Sequence, residues 1–221
     1  MLKTETDFLN HLLFFLCSLC SLWLIFLLMS SPLIKDASLV AIDFESAGEH
    51  PGETTQPIQV GMASMQGLQF QPALFFRSYL RAERPVTWMA QQVHGISDHD
   101  LKEAPSMHAL WPQFQERLAN RYLVAHGRGT ERRFLRAFPM HGFGPWIDTL
   151  TLSRQMAPGL ASYKLSNLIH HFQLFEKLTS LLPDFRWHEA LSDALASLVL
   201  LLHLIQEANL SEEPVSILTT S

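Results

Sequence analysis

Hydrophobic and polar positions fall into short blocks from residue 38 to residue 208, and the period of the blocks changes along the chain. SLVAIDF (38–44) is an apolar run that ends in acids, the pattern of a central strand. After the turn-rich AGEHPGETTQP (47–57), IQVGMASM (58–65) and ALFFRSYL (73–80) predict two more strands, with GLQFQP as the hairpin connection. TWMAQQVHGISDHDL (87–101) predicts short helices around an exposed turn. SMHALWPQFQERLA (106–119) has helical spacing, with Ser106 as N-cap and Pro112 as a local irregularity. RYLVAH (121–126) predicts a strand, TERRFLRAF (130–138) a helix, and PWIDTL (145–150) a strand running into a helix start. KLSNLIHHF (164–172) predicts a further helix, and WHEALSDALASLVLLLHLIQEA (187–208) the last and longest. This order predicts an α/β fold: a mixed five-stranded sheet, antiparallel at first and parallel afterwards, flanked by helices.

The N-terminus follows a different rule. Leu12 to Met29 contains no charged residue and is rich in Leu and Phe, so residues 1–30 predict a hydrophobic helix with the span for a bilayer at 12–29. The flank carries Lys3 but also Glu5 and Asp7, and no small-residue cleavage site follows, which argues against a secretory signal peptide. The expectation is a membrane anchor with the globular domain in the cytoplasm. A translation start at Met29 would instead give a soluble cytoplasmic protein. Residues 31–37 read as a linker, 38–210 as the domain and 211–221 as a C-terminal tail.

Composition narrows the class. With 221 residues, 48% of them hydrophobic and 17% charged, the chain has enough apolar side chains for one sizeable core. A net charge of −5 argues against a broad basic face for nucleic acid, although Arg128, Arg132, Arg133 and Arg136 crowd together locally. The two cysteines, Cys17 and Cys20, lie within the apolar run and read as small hydrophobes.

Candidate chemistry sits at the ends of the predicted strands. Asp43 and Glu45 are two apart, so in a strand they share a face. Two adjacent carboxylates repel, and a divalent cation would relieve that repulsion. The alternative is a strand simply emerging into solvent. Asp148 reads as the N-cap of the helix that follows it. His188 and Asp193 are five apart, a spacing that points them in different directions on one continuous helix. They can act together only if His188 lies at the mouth of the helix, after Pro183. Asp193 also stands out as an acid within the apolar ALSDALASLVLLL. Glu131 reads as a helix-start acid after Thr130 as N-cap, or as a further metal carboxylate.

Taken in order, VAIDFESAG, VAHGRGTERRFL and WHEALSDALA resemble the three motifs of the DEDD-type 3′–5′ exonuclease superfamily, in the subgroup with a catalytic histidine (DEDDh). This superfamily includes the proofreading subunit of bacterial DNA polymerase III, ribonuclease T and oligoribonuclease. IQVGMA, VHGIS (93–97) and IDTLTLSR (147–154) match smaller features, and the likeness covers about residues 38–208. The resemblance implies a ribonuclease-H-like fold and hydrolysis with two divalent cations, Mg²⁺ or Mn²⁺. Asp43 would bridge both ions, Glu45 and Asp193 would hold the one carrying the attacking water, and Glu131 would serve the other. His188 would take the proton from that water; a histidine's unperturbed pKa of about 6.5 suits a base near neutrality. His94, Gly95 and Ile96 match the contact region for the terminal nucleotide, and Arg128 stands where a substrate phosphate would pass. His126 matches a family position without being a ligand and reads as a hydrogen-bonding residue. The implied partner is the 3′ end of single-stranded nucleic acid, DNA ahead of RNA; a polymerase or other protein partner is not specified. The second motif departs from the family: Gly127 replaces the usual Asn, Thr130 the usual Phe and Glu131 the usual Asp. These departures keep open a second expectation, a catalytically weak nucleic-acid-binding relative.

Overall fold

The structure is a computed structural model, and it describes residues 31–220. The N-terminal hydrophobic helix and the anchor at 12–29 fall outside those residues. The three long strands expected at the start of the domain form: β1 (Ser38–Ser46), β2 (Pro57–Gln66) and β4 (Phe76–Tyr79) are antiparallel neighbours, with β2 in the middle. β5 (Tyr122–Ala125) pairs parallel to β1, and β6 (Trp146–Asp148) parallel to β5.

Among the described residues the sheet has seven strands rather than five. The additional pair are β3 (Gln69–Phe70), inside the predicted hairpin connection, and β7 (Thr219–Thr220), which pairs antiparallel to β6. Two residues are too few to leave a period in the sequence, so only chain proximity reveals them. β7 brings part of the C-terminal tail into the sheet. Val215 and Leu218 are buried, and Ile34 N–H donates to the Glu213 carbonyl at 2.9 Å. Ile34 and Ala37 are buried too, so the segment expected as a linker gives two side chains to the core.

The helices come in chain order as α1 (Trp88–His94), α2 (Asp98–Leu101), α3 (Trp111–Leu118), α4 (Gly129–Leu135), α5 (Thr149–Met156), α6 (Leu165–His171), α7 (Phe175–Leu181) and α8 (Ala190–Glu207). Helix α3 starts five residues later than expected from Ser106, whose hydroxyl instead accepts from Ala109 N–H in the preceding turn. Pro112 then falls in the first turn of α3, where a missing N–H costs nothing. Asp148 caps α5 as expected.

The strand period of two splits the core into two layers. Val40, Ile42 and Phe44 face Phe114, Leu118, Phe134 and Leu135 from α3 and α4. Leu39 and Ala41 face the other way, onto α8. Helix α8 is apolar all round because it is buried all round, packed against β1, β2, α5, α6 and α7. The same alternation carries Asp43 and Glu45 onto the α8 side, beneath that helix's first turn.

Gly61 makes this approach possible. It pairs with Asp43, and a Cβ there would collide with the backbone of Ala190 and Leu191. Gly61→Ala must therefore push back the start of α8. We expect it to cost about 3 kcal/mol, the upper range for overpacking because backbone and not a flexible side chain must yield. Urea unfolding measures this, and a loss below about 0.5 kcal/mol would show that α8 can lift freely.

Candidate active site

Three elements converge at the end of the sheet. β1 supplies Asp43 and Glu45, α4 supplies Glu131, and the entry and first turn of α8 supply His188 and Asp193. Oxygen or nitrogen atoms of Glu45, His188 and Asp193 lie within 4.8 Å of one another. The five-residue spacing is resolved as the sequence required: α8 begins at Ala190, so His188 precedes the helix and Asp193 lies in its first turn. His188 has φ +60° and is exposed, whereas Asp193 is partly buried. The His188 backbone N–H donates to the Asp193 carboxylate, which ties the two together.

The carboxylates are held in an environment that disfavours their charge. Asp43 is pushed well above the usual carboxylate range by burial, then by Glu131, Asp193, Glu45 and Glu189. Glu45 rises to about 7 through burial and the nearby Glu189. Asp193 rises to about 7 through burial and Glu45, partly opposed by the His188 N–H. Glu131 also rises to about 7, mainly through burial, with Asp148 adding to it and Arg133 opposing. One oxygen of Glu131 and one of Asp193 are buried without a hydrogen-bond partner. Buried acceptors without donors are costly, and a hard divalent cation is the partner that oxygen ligands of this kind fit. The donor set therefore suits the metal that the sequence implies.

Glu131 is 6% exposed, which separates it from an ordinary solvated helix-start acid. Its helix is not capped by Thr130 as expected; Arg128 occupies the N-cap, without a side-chain cap, and Thr130 lies inside the first turn. The turn is set instead by Asp148, whose carboxylate accepts from Gly127 N–H at 2.9 Å as well as from Leu150 and Thr151 in α5. Gly127 sits at φ +84°, a backbone state that the family's usual Asn tolerates less easily than Gly. His126 bridges the Thr149 hydroxyl at 2.9 Å and the Tyr163 carbonyl at 2.8 Å, the structural role expected of it.

The VHGIS segment lies beside the site. Helix α1 ends at Gly95, and His94 Nε2 contacts the Ser46 carbonyl at 3.1 Å, one residue beyond Glu45. The Ile96 side chain is 3% exposed and packs with Ala47, Ile58 and Leu101. That packing fastens the loop; Gly95 is exposed and His94 partly buried.

Glu189, next to His188, carries no signal in the sequence. It is 2% exposed, and it caps α8 by accepting from Ser192 N–H and from the Ser192 hydroxyl, each at 2.9 Å. Glutamate is not a preferred N-cap, so its position before an apolar helix gave little warning. Gln59 was missed as well: paired with Glu45 across the sheet, it accepts from Ala190 N–H at 3.0 Å and pins the start of α8.

Comparison with known proteins agrees with this constellation. Residues 40–201 match the exonuclease (RNase T) family. The chain is 30% identical over 164 residues to the PolC-type DNA polymerase III of Thermotoga maritima, covering 72% of this chain but 11% of that protein. It is 27% identical over 164 residues to the DNA polymerase III subunit epsilon of Rickettsia typhi, covering 70% of this chain and 68% of that one. Among solved structures, exonuclease X in complex with 5′ overhanging duplex DNA superposes with a TM-score of 0.65 at 23% identity, covering 82% of this chain and 99% of that one. The nuclease domain of 3′hExo, a DEDDh family member bound to rAMP, gives 0.62 at 17% identity, covering 77% and 92%. Exonucleases of the DEDD type use divalent metal ions. With its acids and histidine gathered at one end of a mixed sheet, this chain belongs to the exonuclease (RNase T) family.

Proposed function

We propose that the protein removes nucleotides from the 3′ end of single-stranded nucleic acid, DNA ahead of RNA. The observation that carries this reading is the junction of four raised or buried carboxylates, Asp43, Glu45, Glu131 and Asp193, with an exposed histidine at their edge. The preference for DNA rests on the DNA polymerase III relatives. Asp43, Glu45, Asp193 and Glu131 would hold two divalent cations, Mg²⁺ or Mn²⁺. When bound, such ions lower the pKa of an attacking water and neutralise charge on the phosphodiester. His188 accepts the proton of that water at a ring nitrogen, a role its exposure permits. The Asp193–His188 N–H bond holds the backbone from which the ring projects. The loop of His94, Gly95 and Ile96 at the end of α1 receives the terminal nucleotide, and Arg128 meets a phosphate. The membrane anchor at residues 12–29 remains part of the proposal, with the catalytic domain on the cytoplasmic side.

Full-length protein incubated with end-labelled oligonucleotides tests the polarity. With Mg²⁺ or Mn²⁺, a 5′-labelled strand should yield a descending ladder and a 3′-labelled strand should release labelled mononucleotide at once. The reverse pattern, or cleavage that survives EDTA, would overturn the proposal. Running DNA and RNA strands in parallel decides the substrate.

Glu131 admits a sharper test. Glu131→Gln keeps size and burial but removes the charge, and should weaken metal dependence and lower the rate by about 10–100-fold, while Glu131→Asp should retain part of the activity. If Glu131→Gln is fully active, the enzyme runs on three carboxylates.

A further inference from the structure

Arg77 and Glu189 lie outside the set of side chains that would touch metal or substrate, yet they meet one residue along the chain from His188. Arg77 is on β4, in register with Gly61 and through it with Asp43, so the three occupy one row across the sheet. Its guanidinium donates to Asp184 at 2.9 Å, four residues before His188. Its other terminal nitrogen stands 3.9 Å from Glu189 Oε1, one residue after His188. Glu189 is buried and uses its second oxygen on Ser192, while Oε1 has no hydrogen-bond partner. The Ser192 hydroxyl in turn accepts from Arg186 N–H at 3.3 Å. Residues 184 to 192 are thus pinned on both sides of His188, which itself adopts φ +60°.

A non-glycine residue in the left-handed region costs on the order of 1–3 kcal/mol and persists only where its surroundings hold it. The His188 N–H bond to Asp193 holds one side of that residue, and the contacts from β4 hold the carboxylates that flank it. A planar guanidinium can face two carboxylates at once, which a lysine ammonium does less well.

We propose that Arg77 and Glu189 are positioning residues: the guanidinium holds the two carboxylates flanking His188, and this sets the imidazole against Glu45 and Asp193. The inference rests on His188 being the proton acceptor for its effect on rate, but its geometric content can be tested without turnover.

Histidine ring resonances of full-length, metal-free protein labelled with ¹³C at Cε1 report the geometry directly, with His188→Ala assigning the peak. Arg77→Met should move or broaden the His188 resonance beyond its linewidth while leaving that of the distant His126 in place. Glu189→Gln, which keeps a carbonyl for the helix cap and removes the charge, should move the same peak in a protein that still unfolds cooperatively. A His188 peak unmoved by both changes would overturn the inference. In turnover, Arg77→Met should lower kcat by about tenfold to a hundredfold with KM unchanged, as expected for a displaced group. It should add nothing in a His188→Ala background. A rise in KM with kcat intact would instead make Arg77 a phosphate contact and overturn the positioning role. If His188→Ala leaves the rate unchanged, the exonuclease mechanism fails at His188 while the resonance experiment still decides the positioning.

Discussion

Asp43→Asn should abolish cleavage and, in the absence of metal, make the protein more stable. Asp43 is the carboxylate that interacts with all the others: Glu131, Asp193, Glu45 and Glu189 each raise its pKa further beyond what burial does. Removing its charge removes a carboxylate that would hold metal and also removes repulsion from the fold. We expect activity to fall below detection at saturating Mg²⁺, and the metal-free Tm to rise by roughly 3 °C or more. Near-normal cleavage by the variant would remove Asp43 from the mechanism. The same electrostatics fix the sign of the pH dependence. Glu45, Glu131 and Asp193 keep their protons to about 7 in the fold. In the unfolded chain such groups release them near about 4. The folded state therefore binds more protons between about pH 4 and 7, and metal-free stability should fall as pH rises through that window. Mg²⁺ should reverse the loss. Thermal melts in EDTA and in Mg²⁺ measure both effects, and a flat metal-free profile would mean the carboxylates are already neutralised by other groups.

His188→Ala should lower the rate by about 10²–10⁴ while leaving metal affinity nearly unchanged. The ring is exposed at the edge of the cluster, where it can reach a water held beside Glu45 and Asp193. Pre-steady-state rates and a parallel Mn²⁺ titration separate the two quantities. A large loss of Mn²⁺ affinity would make His188 a ligand rather than the base.

Several site residues were legible because their local context was anomalous. Asp43 and Glu45 end an apolar strand with two like charges on one face, and Asp193 interrupts an apolar helix; neither makes sense without a partner. His188 was legible through the geometry of the α-helix, which forbids a five-residue pair from sharing a face and so places the helix start between them. Glu131 was ambiguous, because an acid in the first turn of a helix looks the same whether it is solvated or buried. Its 6% exposure decides between the two. The packing of Ile96 on Ala47, Ile58 and Leu101 was not legible, because those neighbours lie in other segments of the chain. Arg77 and Glu189 left no trace at all, since more than a hundred residues separate them along the chain.

Hydrophobic periodicity by itself determined the long strands, their order and the α/β class, because burial on one face imposes a period that each segment carries alone. It also determined that the acids of the first and third motifs needed company. Tertiary structure alone decided which company they keep. Gly61 admits α8 onto the sheet at Asp43, Gln59 and Glu189 fix where that helix begins, and β7 closes an edge with only two residues. These are contacts between segments distant in sequence, and their energy depends on distances that no local pattern encodes.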